Sequence, residues 1–205
     1  LTICYYTISE DNVMDDIKYT FDERQAMEAT AYLLSLNDGR MNYTKTIKLL
    51  YLADREALSR GLGSITTDIY KSLNYGPLTS SIYDCIKHNT GKFWDNYIKT
   101  DGYTIELISD LSYEMLSIGE RKILKSIYDK FREMNWVEIV AFCHSNLQEW
   151  EDPHGSSIPI SIESILAATV EPENLEYVRE SLLEDSAIQR NNYGLMHKGD
   201  ADGDR

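Results

Sequence analysis

Apolar residues recur at helical spacing along most of the chain and alternate in only a few stretches, a pattern that predicts a mainly helical fold with a small sheet. Thr20-Phe21-Asp22-Glu23 has the spacing of a capping box and opens a helix to about Leu36. Its Ala26, Ala29 and Ala31 would let a neighbouring helix approach closely, while Met27, Leu33 and Leu34 supply apolar bulk. Asn42 caps a second helix, in which Tyr43, Ile47, Leu50 and Leu58 share a face as far as the stop at Gly61. Ile69 to Tyr75 is rich in strand formers. Gly76-Pro77 then breaks the strand, and Thr79 caps a short helix to about His88. Phe93 to Lys99 and Tyr103 to Ile108, parted by Thr100-Asp101-Gly102, form a predicted β-hairpin.

Ser117-Ile118-Gly119-Glu120 is a second capping box, followed to about Met134 by a face of Ile123, Leu124, Ile127, Tyr128 and Phe131. Asn135 caps a helix through about Phe142, a loop rich in Pro, Gly and Ser runs from Glu151 to Pro159, and helices fit Ser161 to Val170 and Glu173 to Ser186. The fold class is therefore α+β, mainly α: one domain of about six to seven helices with a small antiparallel sheet. Residues 20–190 make this domain, residues 1–19 an N-terminal extension, and the polar, Gly- and Asp-rich residues 191–205 a disordered tail. Met14, followed by an acidic pair and then a helix-start signal, places residues 1–13 upstream of the usual start.

Charge narrows the function classes. Twenty Lys and Arg against 34 Asp and Glu give a net charge of -14, which opposes attraction to phosphate backbones or anionic lipid and suits a basic protein partner. Cys4, Cys85 and Cys143 form no C-x-x-C pair and leave one thiol over in any disulfide scheme, as expected of a reducing compartment, the cytoplasm. No segment approaches the run of about 20 apolar residues that a membrane span needs.

The polar residue that stands out is Asp54, which falls in the otherwise apolar row Ile47, Leu50, Leu58. Such a carboxylate either ties the helix to a loop through backbone N–H groups or a Tyr hydroxyl, or waits at a partner pocket; the first is the commoner arrangement. Arg55 shares the polar row with Lys48 and is expected to point outward. Tyr75-Gly76-Pro77 is a good turn that also presents Tyr75 rigidly, as aromatic anchors of protein recognition are presented. Cys85-x-x-His88 with Cys143-His144 makes a poor zinc set, because adjacent helical residues point apart. Cys143 has no signature of an activated nucleophile, and Asp200-Ala201-Asp202-Gly203-Asp204 stops before the Glu of a calcium loop. Arg121, Lys122, Lys125, Lys130 and Arg132, interleaved with Asp129 and Glu133, fit a solvated helix face. Phosphate-loop, dinucleotide, zinc-protease and nucleophile-elbow motifs are absent, so neither an enzyme nor any cofactor or metal is expected.

Lys45 to Glu56 (KTIKLLYLADRE), Gly61, Ile65 to Asp68, Leu73-Asn74-Tyr75-Gly76-Pro77, Ile82-Tyr83, Leu116-Ser117, Glu120, His144-Ser145 and Trp150 together resemble the SocA-like antitoxin family, the Panacea domain, over about residues 25–152. Where the family often closes its late His-Ser pair with Gly or Pro and Trp, this chain has Asn146-Leu147-Gln148-Glu149-Trp150. The resemblance implies a bacterial or phage protein that neutralises a cognate toxin by direct contact, with Asp54, Arg55, Tyr75, Gly76, Pro77 and Trp150 as its motif positions. The alternative role is an adaptor that delivers a partner to a protease, with the stretch from Asn191 as tether.

Overall fold

The computed structural model describes residues 16–88 and 90–197. The expected upstream residues 1–13 and the Asp200 to Asp204 run lie outside them. Helix α1 (Glu23–Ser35) leads through strand β1 (Arg40–Asn42) into α2 (Tyr43–Ser59); β2 (Tyr70–Leu73), β3 (Gly76–Thr79) and α3 (Ser80–His88) follow. A 3-10 turn at Trp94–Asn96 precedes β4 (Ile98–Asp101) and β5 (Thr104–Leu107). Then come α4 (Ile118–Phe131), α5 (Trp136–Asn146), β6 (Ile158–Ile160), α6 (Ile162–Thr169) and α7 (Leu175–His197). The described residues form an α+β fold of seven helices with two three-stranded antiparallel sheets, ordered β1-β5-β4 and β3-β2-β6. None of these helices is long and apolar enough to cross a membrane.

Helix α2 is the axis. It packs against α1, α4, α5, α6 and β3, and residues on every side of it are buried, from Ile47, Leu50, Asp54 and Leu58 to Lys45, Lys48 and Tyr51. Asn42 caps it, its side chain accepting from the N–H groups of Thr44 and Lys45, and Gly61 at φ +69° ends it. The fully buried Ala26, Ala29 and Ala31 of α1 provide the close approach their size allows. Both later capping signals hold as well: Ser117 with Glu120 starts α4, and Asn135 with Glu138 starts α5.

Several expectations are corrected. The cap of α1 is Asp22, not Thr20; Glu23 faces away and accepts the N–H groups of Lys92, Phe93 and Trp94 at 2.6–2.9 Å. Residues 94–96, beginning at the last of these N–H groups, form the 3-10 turn, and the predicted strand from Phe93 begins only at Ile98. Gly76-Pro77 does not break a strand before a helix but opens a second one, closing a β2–β3 hairpin. Pro77 is tolerated because β3 is an edge strand, where a missing N–H loses little. Thr79 therefore belongs to β3, and α3 is capped by Asp68, whose carboxylate accepts from the N–H groups of Ser81 and Ile82, both at 2.9 Å. Strands β1 and β6 are too short to show alternation, which is why two small sheets were legible only as one. Helix α5 runs to Asn146 and α7 to His197, so residues 191–197 are helical and not a tail. Buried Val178 and Leu182 seat α7, and the Tyr19 hydroxyl donates to Asp185 on it at 2.8 Å.

Candidate functional site

The expected motif residues fall into two neighbouring places, a polar junction around α2 and a cleft beside the hairpin. In the junction, Asp54 is wholly buried, its carboxylate accepting from the Thr66 N–H at 2.9 Å and from the Thr66 hydroxyl. It ties α2 to the loop before β2, the structural arrangement that its place in an apolar row anticipates. Burial pushes its carboxyl up to about 7, against the opposing pull of the Thr66 bonds.

At the next residue, the outward reading of Arg55 fails. Its guanidinium reaches Glu149 through Nε at 2.7 Å and Nη2 at 3.3 Å, and the Glu149 side chain is fully buried. The Tyr51 hydroxyl donates to the same carboxylate at 2.9 Å. Glu149 thus pins α2 to the segment after α5. Its neighbour Trp150 donates from Nε1 to the Leu73 carbonyl at 3.1 Å and stacks on His144 with ring centres 4.1 Å apart. Trp150 consequently braces the hairpin from behind.

Lys48 also turns inward: only 3% exposed, it donates to the Pro77 carbonyl and, among the described residues, has no other hydrogen-bond or ion-pair partner. Desolvation lowers its ammonium to about 8. Gly76 is required by its backbone, at φ +88°, rather than by space, since a Cβ there would meet Cys143, His144 and the Lys48 stem at ordinary contact distances of 3.4–3.5 Å. The Cys143 and Cys85 thiols, each pushed by burial up to about 11, are core side chains held in the protonated form.

The cleft, of about 530 Å³, opens between the start of α2, the hairpin, α3 and the start of α5. Tyr75 on the hairpin turn meets Trp136 edge to face at 6.3 Å, and Tyr43 stacks with Tyr103 from the β4–β5 turn at 6.0 Å. Lys87 of α3 lies over the Tyr43 ring, 4.1 Å from its centre. Tyr75 is 64% exposed, Tyr103 73% and Trp136 41%, while Lys48 is at the floor. Of the motif positions, Tyr75 lines this cleft; Asp54, Arg55 and Trp150 do not, and Gly76 and Pro77 shape its wall from within the sheet. Sequence reasoning missed Lys48, Lys87, Tyr103, Trp136 and Glu149. Trp136, an aromatic at the first position of a well-capped helix, was the available signal.

A larger cleft of about 690 Å³ between α1 and α3 contains Asp22 and Glu23, but these carboxylates are occupied by N–H groups of the protein itself. Exposed Lys122 and Lys130, the Lys125–Asp129 pair at 2.6 Å and, just past α4, the Arg132–Glu133 pair at 3.1 Å make a solvated face of the basic run, apart from the half-buried Arg121. No group of three or more His, Cys, Asp or Glu among the described residues is placed to hold a metal ion.

The chain has no match among curated proteins or solved structures. The family model described as antitoxin SocA-like, Panacea domain, matches residues 47–151, from within α2 to just past Trp150. That span takes in the Asp54 tie, the Arg55–Glu149 pair, the whole β2–β3 hairpin and much of the aromatic cleft, and over this half of its length the protein belongs to the SocA-like, Panacea-domain antitoxin family.

Proposed function

We propose that the protein is a cytoplasmic antitoxin that neutralises a toxin encoded beside it by binding that toxin directly, without catalysis. Membership of the SocA-like family carries this reading. Two features support it. The aromatic cleft exposes large side chains held by ring contacts and a fixed turn, the kind of preorganised anchor that protein interfaces use. The charge of -14 suits a basic partner, for which it would speed encounter.

Co-expression with the neighbouring toxin is expected to restore growth of cells that the toxin alone arrests, and the two proteins are expected to co-purify. Restored growth with no physical complex would defeat direct neutralisation.

A further inference from the structure

The aromatic cleft has an electrostatic character opposite to that of the molecule around it. In a chain of 34 acidic residues, the described residues that line it include Lys48 and Lys87 and neither Asp nor Glu. Lys48 is a buried cation whose ammonium uses one of its three donors, on Pro77. Buried charges ordinarily meet a counter-charge, because desolvation is otherwise uncompensated. Helix α2 also begins at this wall, with Asn42, Tyr43 and Thr44 lining the cleft, so the positive end of a 17-residue helix adds to the same field. Lys87 is the exposed cation, positioned over Tyr43. Floor, wall and rim thus all favour an anion, while Tyr75, Tyr83, Tyr103 and Trp136 offer apolar faces.

We propose that this cleft is the toxin-docking site and that it takes a short acidic segment of the toxin, a carboxylate meeting Lys87 above the Lys48 floor and flanking apolar side chains lying on the four aromatic rings. The proposal rests on the antitoxin reading and specifies how the partner is held. A volume of about 530 Å³ encloses a few side chains, within the range of about 300–1,000 Å³ typical of sites that bury most of a small ligand. The two charge patterns then divide the work. The acidic exterior draws in a basic toxin, and the local cationic cleft fixes which part of it docks.

The experiment uses the full chain with the toxin encoded beside it. A photoreactive benzoylphenylalanine at Tyr75 or at Tyr103 is crosslinked in the complex and the captured toxin peptide identified by mass spectrometry. In parallel, calorimetry compares Lys87→Glu, Lys87→Arg and, as a remote charge control on the exposed face of α4, Lys122→Glu. The expected result is a crosslinked segment containing Asp or Glu, affinity weakened about tenfold or more by Lys87→Glu, and affinity within about threefold of the parent for the other two variants. Unchanged melting of Lys87→Glu, whose side chain is exposed, would assign the loss to binding. Crosslinks to a segment without carboxylates, crosslinks to none, or equal losses for Lys87→Glu and Lys122→Glu would overturn the proposal while leaving direct neutralisation standing. Absence of any complex would overturn both.

Discussion

Asp54 and Lys48 lie six residues apart on one helix and were read from the sequence with opposite success. Asp54 interrupts an apolar row, so its burial was visible as a departure from period; its partner Thr66, 12 residues on, was not, because a loop's path leaves no periodic trace. Lys48 sits in the polar row and was read as solvated. A helical wheel assigns one face to the core, whereas α2 has buried residues on every side and holds Lys45, Lys48 and Asp54 inside, leaving Glu56 partly exposed. The same enclosure reversed Arg55. Asp54 yields a pH prediction. Its carboxyl is unprotonated above 3.8 in the unfolded chain but stays protonated to about 7 in the fold, so the folded state binds the extra proton between those values. Stability contributed by this group accordingly falls as pH rises from 3.8 to about 7. In urea unfolding across that window, the parent should lose stability relative to Asp54→Asn, which cannot ionise; parallel curves would contradict the shift.

At the scale of elements, caps written locally were legible except Asp22, which stands beside the competing Thr20, and the cap supplied from a distance was not. Asn42, Ser117 and Asn135 each precede the helix they start and were read as its cap, while Ser161 was read only as the first residue of the helix it caps. Asp68 caps α3 from across the β2–β3 hairpin, 13 and 14 residues upstream of the N–H groups it accepts, so Thr79 seemed the natural choice. Replacing Asp68 by Ala leaves those donors, and that of Ile69, without their acceptor, the Ile82 N–H fully buried and the other two partly so. The expected cost is about 2–3 kcal/mol in chemical denaturation. Thr79→Ala, whose hydroxyl has no hydrogen-bond partner among the described residues, is expected to cost less than about 1 kcal/mol. Equal effects would return the capping role to Thr79. Gly76-Pro77 shows a related limit: the pair signals a chain reversal, and only the pairing of Leu73 with Gly76 decides that a strand follows.

For the whole molecule, the family match and the folding unit have different boundaries. Residues 47–151 omit α1, the Asn42 cap and first turn of α2, β1, which pairs with β5, and β6, which pairs with β2. A fragment of residues 47–151 is therefore expected to show no cooperative unfolding transition by circular dichroism, whereas a fragment of residues 16–197 should unfold in one step. The axis of that unit is staked by polar side chains at successive heights: Lys45 to the Arg132 carbonyl, Lys48 to Pro77, Tyr51 and Arg55 to Glu149, and Asp54 to Thr66. A helix fastened to four separate segments can neither slide nor turn without breaking all of them. Tyr75, Tyr103 and Trp136 hang outside that fastening, on two turns and a helix end. Under the proposed docking, the molecule works like a chuck with changeable jaws: the rim could be recut for another partner one residue at a time, while the spindle stays as it is.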